Sequence, residues 1–213
     1  MGTESVYLKD KNNKYLWLFI GVNTAIFLTI LIGTRLTYTS VEHFWQKVSA
    51  KDGLIAICIP LVTVVLNGLL GDLAKARIVF WRWQDPLPGC RAFTELINAD
   101  PRIDVKALHA KYGSLPEKPK EQNALWYRLY KEHAGSITVS EAHKTYLLIR
   151  DMTALSVLFA VLFSAGAIFA PVDWKITILY CVSLLAQYLV LAASARNYGM
   201  RFVLNVLADA SNT

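Results

Sequence analysis

Charge is absent from four long stretches of this chain. Residues 15–34, 53–71, 152–170 and 176–195 contain no Asp, Glu, Lys or Arg, although such residues make up 18% of the 213 positions. Each stretch holds 19 or 20 residues, about the number needed to cross a ~30 Å hydrocarbon core as a helix. The apolar share of 54% and the mean hydropathy of +0.35 point the same way, away from an ordinary soluble domain. The pattern predicts an all-α, polytopic membrane protein with four transmembrane helices.

Cysteine is scarce too. Of the three, Cys58 and Cys181 fall inside spans, Cys90 lies between them, and no pair is spaced CxxC, which excludes a disulfide framework and a thiolate metal site. The one constellation resembling a metal site, Glu132-His133 with Glu141 and His143, lacks zinc-ligand spacing. No metal or cofactor is expected. The GxxxxGK[ST], GxGxxG, GxSxG and HExxH motifs are all missing, and no ionisable group lies deep in a span to serve as acid, base or counter-ion. An enzyme is therefore not the expected reading; an interfacial lipid-modifying enzyme, with its acids and bases at the inner membrane surface, ranks third among the functions considered.

The basic residues set the orientation. Eighteen of the 22 fall in residues 1–14, 72–151 and 196–213, and four in the two remaining connections, so the positive-inside rule places both termini and the long middle segment in the cytoplasm. The polar N-terminal flank and the missing A-x-A site argue for a retained first span rather than a signal peptide. The expected organisation is a cytoplasmic N-terminus, a first span at 15–34, an external loop helix at 40–50 and a second span at 53–71. A cytosolic insert at 72–151 follows, then spans at 152–170 and 176–195 and an amphipathic C-terminal helix. The insert holds 23 of the 38 charged residues but a net charge of only +3. Its flanks read as stalks: the second span continues without a breaker to Trp83, and Thr138 with Glu141 resembles a capping box opening the run into the third. Short helices are predicted near 91–98, 103–112 and 120–133. After the fourth span, residues 196–208 either bend at Gly199 or continue outward.

Several side chains are candidates for function. Asn23, Asn67 and Gln187, with the small-residue strip Ser156, Ala160 and Ser164, offer interhelical packing and a homo-oligomer; Asn23, Thr63, Asn67 and Gln187 are also what a polar pore would use. Val41, Phe44, Trp45 and Val48 recur at helical spacing and predict an external amphipathic helix, resting on the membrane or sensing an external ligand. Pro60 offers a bend and Asp72 a charge where the second span crosses the interface, so the two are candidate coupling residues. Arg77, Trp81, Arg82 and Trp83 interleave cations and indoles directly after a span, a pattern suited to lipid headgroups. A second such run includes Trp126 and Arg128 and would serve equally as core of the cytosolic layer. With the charged loop bearing Lys118 and Lys120, it is a candidate contact for a soluble cytosolic partner. Direct nucleic-acid binding is not expected from so small a net charge.

Four spans, both ends inside and an 80-residue helical insert together resemble the small four-span membrane components of bacterial anti-phage defence systems, such as the membrane subunit of Kiwa. The resemblance is architectural, covers the whole chain and carries over no residue roles. It implies a homo-oligomeric scaffold or pore in the bacterial inner (plasma) membrane, coupled to a cytosolic effector.

Overall fold

The computed structural model describes the backbone of residues 3–33, 50–170 and 172–212, and the side chains of 12–31, 58–170 and 172–212. The Val41, Phe44, Trp45 and Val48 helix lies outside the described residues. Those described form helices and turns, with no strand among them. Helices α1 (Thr3–Gly33) and α2 (Ala50–Leu69) are followed by a short α3 (Asp72–Phe80). A 3-10 turn (Pro88–Arg91) then runs into a π turn (Ala92–Leu96), before α4 (Val105–Tyr112) and α5 (Pro119–His133). Two long helices, α6 (Ile137–Phe169) and α7 (Trp174–Ser211), complete the chain as an antiparallel pair.

Three helices are long and apolar enough to cross a membrane: α1 over Asn12–Leu31, α6 and α7. The fourth candidate is broken. Residues Cys58–Leu69 and Asp72–Phe80 pass the same test only together, and they are bent by 96°. The uninterrupted stalk expected from the second span to Trp83 is therefore replaced by a sharp turn at Leu70-Gly71, where Gly71 takes an extended conformation ahead of α3. Pro60 sits inside α2, away from this break. Candidate span α6 is one unbroken helix of 33 residues. It starts at Ile137 after Ser136, so Thr138 lies within the first turn instead of capping it. Between the two outcomes open for the C-terminus, the chain takes extension: α7 runs 38 residues through Gly199.

Two apolar cores result. The first joins Ile20 and Phe27 of α1 with Leu155, Phe159, Phe163 and Ala167 of α6 and Tyr180 and Leu184 of α7. Its seam is an i, i+4 ladder on α6, where Phe27 stacks on Phe163 at 4.5 Å and presses against Gly166. The second core collects the charged part of the chain around the last turns of α7, whose Phe202, Val203, Val206 and Leu207 are buried among residues of α3, α5 and the turns. Asn12 of α1 and Ser211 of α7 both meet this layer. Asn12 Nδ2 donates to the Lys144 carbonyl at 2.7 Å, and the Asp104 N–H donates to Ser211 Oγ at 3.1 Å.

Inside the layer, a buried side chain organises the irregular turns. Gln122, 1% exposed, accepts from the Phe93 N–H at 3.0 Å and donates to the Glu117 carbonyl at 2.7 Å, satisfying backbone that a regular helix would have paired internally. Gly89 lets Trp126 approach: a Cβ there would stand 2.6 Å from the indole.

Candidate functional site

Helix α3 is nine residues long and lies across the α6–α7 pair at the level where both change from apolar to charged sequence. Its first turn docks on α6. Lys75 Nζ lies 3.1 Å from Asp151 Oδ1, Arg150 Nη2 lies 3.0 Å from the same oxygen, and Arg150 Nη1 reaches Asp72 Oδ1 at 3.0 Å. Two cations and two carboxylates make the cluster neutral overall, which is what allows Lys75, Arg150 and Asp151 to be buried. Asp72 is half exposed and also places an acidic group in the first turn of α3, where the helix dipole favours one.

The last turn of α3 docks on α7. A helix C-terminus leaves carbonyls without partners, and two side chains of α7 satisfy them. Tyr188 Oη donates to the Ile78 carbonyl at 3.0 Å, and Arg196 Nε donates to the Val79 carbonyl at 2.6 Å. Trp81 ends the helix in the left-handed region, φ 55°, a conformation that costs an L-residue roughly 1–2 kcal/mol. It is held there by the Arg196 guanidinium 3.7 Å above its ring and by an Nε1 hydrogen bond of 2.6 Å to Tyr188 Oη. Nearby, Phe80 and Tyr146 close on Gly199, where a Cβ would lie 2.8 and 3.0 Å from their rings.

The surrounding charges are mostly arginine. Arg77 Nε donates to the Trp83 carbonyl at 3.1 Å, Arg82 stands exposed 3.8 Å from Glu95, and Arg91 is buried with its Nε 3.2 Å from the same carboxylate. Burial and the neighbouring Arg82 charge hold the Arg91 guanidinium below its ordinary pKa. Burial likewise pushes the Cys90 thiol up, away from the thiolate that chemistry at this position would need.

The remaining candidates are scattered. Asn23 is buried but bonds its own helix, donating to the Phe19 carbonyl at 2.9 Å, and Ser156 Oγ does the same to Thr153 at 2.7 Å. Ala160 and Ser164 are half-buried beside the phenylalanine ladder instead of forming the seam. Asn67 and Gln187 are half-buried, each with a buried amide atom lacking a partner, as are the hydroxyls of Thr24 and Thr63. Trp126 is a correction: it is 7% exposed, stacks on Tyr130 at 6.1 Å and meets Phe202 edge-on at 5.2 Å, so it is core and not a contact residue. Arg128 is exposed and lines an open groove of about 760 Å³ between α4 and α5, with Lys111, Tyr112, Pro116 and Glu121. Lys118 and Lys120 stand exposed beside it, Lys118 paired with Glu121 at 3.3 Å.

The sequence reading missed Arg150, Asp151 and Arg196. One signal could have found Asp151 and Arg196: each is the charged residue immediately bordering a charge-free stretch, where a side chain must choose a partner at the interface, and Arg150 is one residue further out. Among the described residues no three His, Cys, Asp or Glu side chains gather as a metal-binding group. No protein-family model, curated protein or solved structure matches the chain.

Proposed function

We propose that the chain is a four-span scaffold of the bacterial inner membrane, working without chemical turnover, as a homo-oligomer that docks a soluble cytosolic effector on its charged layer. In this reading the fourth span is α2, and α3 turns aside to lie in the membrane surface. Both termini then share the cytoplasmic side with the layer, in keeping with the bonds from Asn12 to Lys144 and from Asp104 to Ser211 and with the distribution of basic residues. A role in anti-phage defence belongs to this proposal through the architectural resemblance.

The carrying observation is the unbroken passage of α6 and α7 from the apolar core into the layer core. A layer built on two membrane rods is a platform, and its open groove offers Lys111 and Arg128 to a partner. The test is co-purification from the native host. Replacing residues 115–123 with a Gly/Ser linker, or Lys111 and Arg128 together with Glu, is expected to release the bound protein. Unchanged recovery in both variants overturns docking at this groove.

A pore is the second reading, favoured by the unpartnered polar atoms of Thr24, Thr63, Asn67 and Gln187 in the apolar half. Ion flux through liposomes holding this chain alone, altered by Asn67→Leu, would establish it in place of the scaffold.

A further inference from the structure

We propose that the C-terminal end of α3, together with Arg196 of α7, is a binding site for the phosphate of an anionic lipid headgroup. The inference rests on the reading above that α7 crosses the bilayer and α3 lies in its surface, but not on partner docking, so the two fail separately.

Arg196 is the centre of the site. Its Nε is committed to the Val79 carbonyl and one face of its guanidinium to the Trp81 ring, while its buried Nη2 has no partner. A charged donor without an acceptor is costly away from water, and more so at a membrane surface. Arg196 is also the first charged residue after the charge-free stretch 176–195, where a helix spanning the bilayer would emerge among the lipid phosphates. Along residues 77–96, from the helix end that Arg196 caps, the charges do not balance: Arg77, Arg82 and Arg91 are set against two carboxylates, Asp85 and Glu95, and Glu95 is shared between Arg82 and Arg91. A phosphate diester supplies the missing anion and presents acceptors to guanidinium donors in a matching geometry.

The apolar side chains fix the source of that phosphate. Leu73, Arg77 and Trp81 recur every fourth residue on the outer face of α3, and Leu73, Trp81 and Trp83 are 52%, 56% and 80% exposed. Indoles beside arginines at the end of a span are the composition of the headgroup and glycerol zone. A soluble phosphate compound gains nothing from three exposed apolar side chains, whereas a lipid buries them.

The experiment uses the full chain in nanodiscs of phosphatidylcholine containing phosphatidylglycerol, released for native mass spectrometry to count retained lipids, with folding checked by circular dichroism. Wild type is expected to retain phosphatidylglycerol in preference to phosphatidylcholine, and Arg196→Gln to lose that preference. Because Arg196 also caps α3, the Arg77→Gln/Arg82→Gln variant, altered only at exposed side chains, provides the second measurement. A reduction of about fivefold per guanidinium removed is expected there, the equivalent of about 1 kcal/mol per basic residue at an anionic surface. Wild-type retention of phosphatidylglycerol in that folded double variant overturns the proposal. So does equal protection against thermal unfolding by inorganic phosphate or glycerol phosphate in lipid-free detergent, which assigns the site to a soluble ligand. Displacement of the lipid by an acidic soluble protein bound at these arginines overturns it as well.

Discussion

The apolar half and the charged layer are held together by different means. In the apolar half, several polar side chains bond back to their own helices, as Asn23 to Phe19, Thr29 to Ala25 and Ser183 to Tyr180 do, and others, such as Thr63 and Asn67, leave a polar atom unpartnered. Contact between helices there is made by apolar side chains, with stacked rings at its centre and a close approach at Gly166. In the layer and at its boundary, polar side chains reach across the chain: Gln122 to Phe93, Arg102 to Asn205, Arg196 to Val79, Lys75 to Asp151. The physical reason is the solvent. Lipid gives apolar helices no hydrophobic drive to associate, so shape and close approach decide their packing. A water-facing layer has that drive, and needs polar pairing to select one arrangement from many.

The sharpest way to break this contrast is at the boundary. Asp151 faces Lys75 and Arg150, all three buried. Asp151→Asn leaves two cations with only Asp72 to balance them, a loss of about 3–5 kcal/mol on the scale of broken buried pairs. Ser183→Ala, which removes an intrahelical bond in the apolar half, is expected to change stability by less than about 1 kcal/mol. Thermal unfolding in one detergent, followed by circular dichroism, compares them directly. Equal shifts would mean that the boundary cluster contributes no more than an ordinary surface pair.

Legibility in the sequence follows the same divide. The apolar stretches announce themselves because a single rule, the exclusion of charge, acts on every residue in them. The break at Leu70-Gly71 does not, because no proline marks it; what fixes α3 is Arg150 and Arg196, far along the chain, reaching Asp72 and Val79. Trp81 and Trp126 sit in similar basic-aromatic runs and have opposite fates, exposed and buried. The spacing of Gln122, Leu125, Trp126, Leu129 and Tyr130 at i, i+3, i+4, i+7 and i+8 is the signal that separates them, since it predicts a buried face. Residues 72–83 carry a shorter stripe, Ala76, Val79 and Phe80, which is buried, and Trp81 lies off it. The tie between Gln122 and the π turn is a long-range contact that no local pattern encodes.

A smaller effect sharpens the comparison by placing one methyl group in each region. At Gly199 an added Cβ meets both Phe80 and Tyr146, at 2.8 and 3.0 Å; at Gly166 it meets Phe27 alone, at 2.7 Å. Either Gly→Ala change gains about 1 kcal/mol of helix propensity. Two rings fixed by the layer core are harder to displace than one, so Gly199→Ala is expected to destabilise by about 1–2 kcal/mol net of that gain. Gly166→Ala should come out near neutral. Unfolding measured as before checks the order, and a larger loss at Gly166 would show that the phenylalanine ladder is the more rigid of the two cores.

The smallest effect is a dependence on pH confined to the layer. The turn before α4 is closed by Asp100 and Arg102, whose Oδ2 and Nη2 lie 2.6 Å apart, and the same Nη2 donates to Asn205 of α7 at 2.9 Å. The hydrogen bonds from Arg102 hold the Asp100 carboxyl below the usual carboxylate range. A carboxylate whose pKa is depressed on folding stabilises the fold above its unfolded value, about 3.9, and that contribution is lost as pH falls through the lower folded value. Arg102 stands more than half exposed, so screening limits the pair to at most about 1 kcal/mol. Hydrogen exchange of residues 100–104, followed from pH 6 downward, should therefore be faster in Asp100→Asn than in wild type, once corrected for intrinsic rates. The two should converge only below about pH 4, where the wild-type carboxyl takes up its proton. Convergence already at pH 5 would mean that Arg102 is held by Asn205 and the Asp100 charge contributes nothing. A difference that shows no dependence on pH across the acid range would mean that the side chain acts through its shape and not its charge.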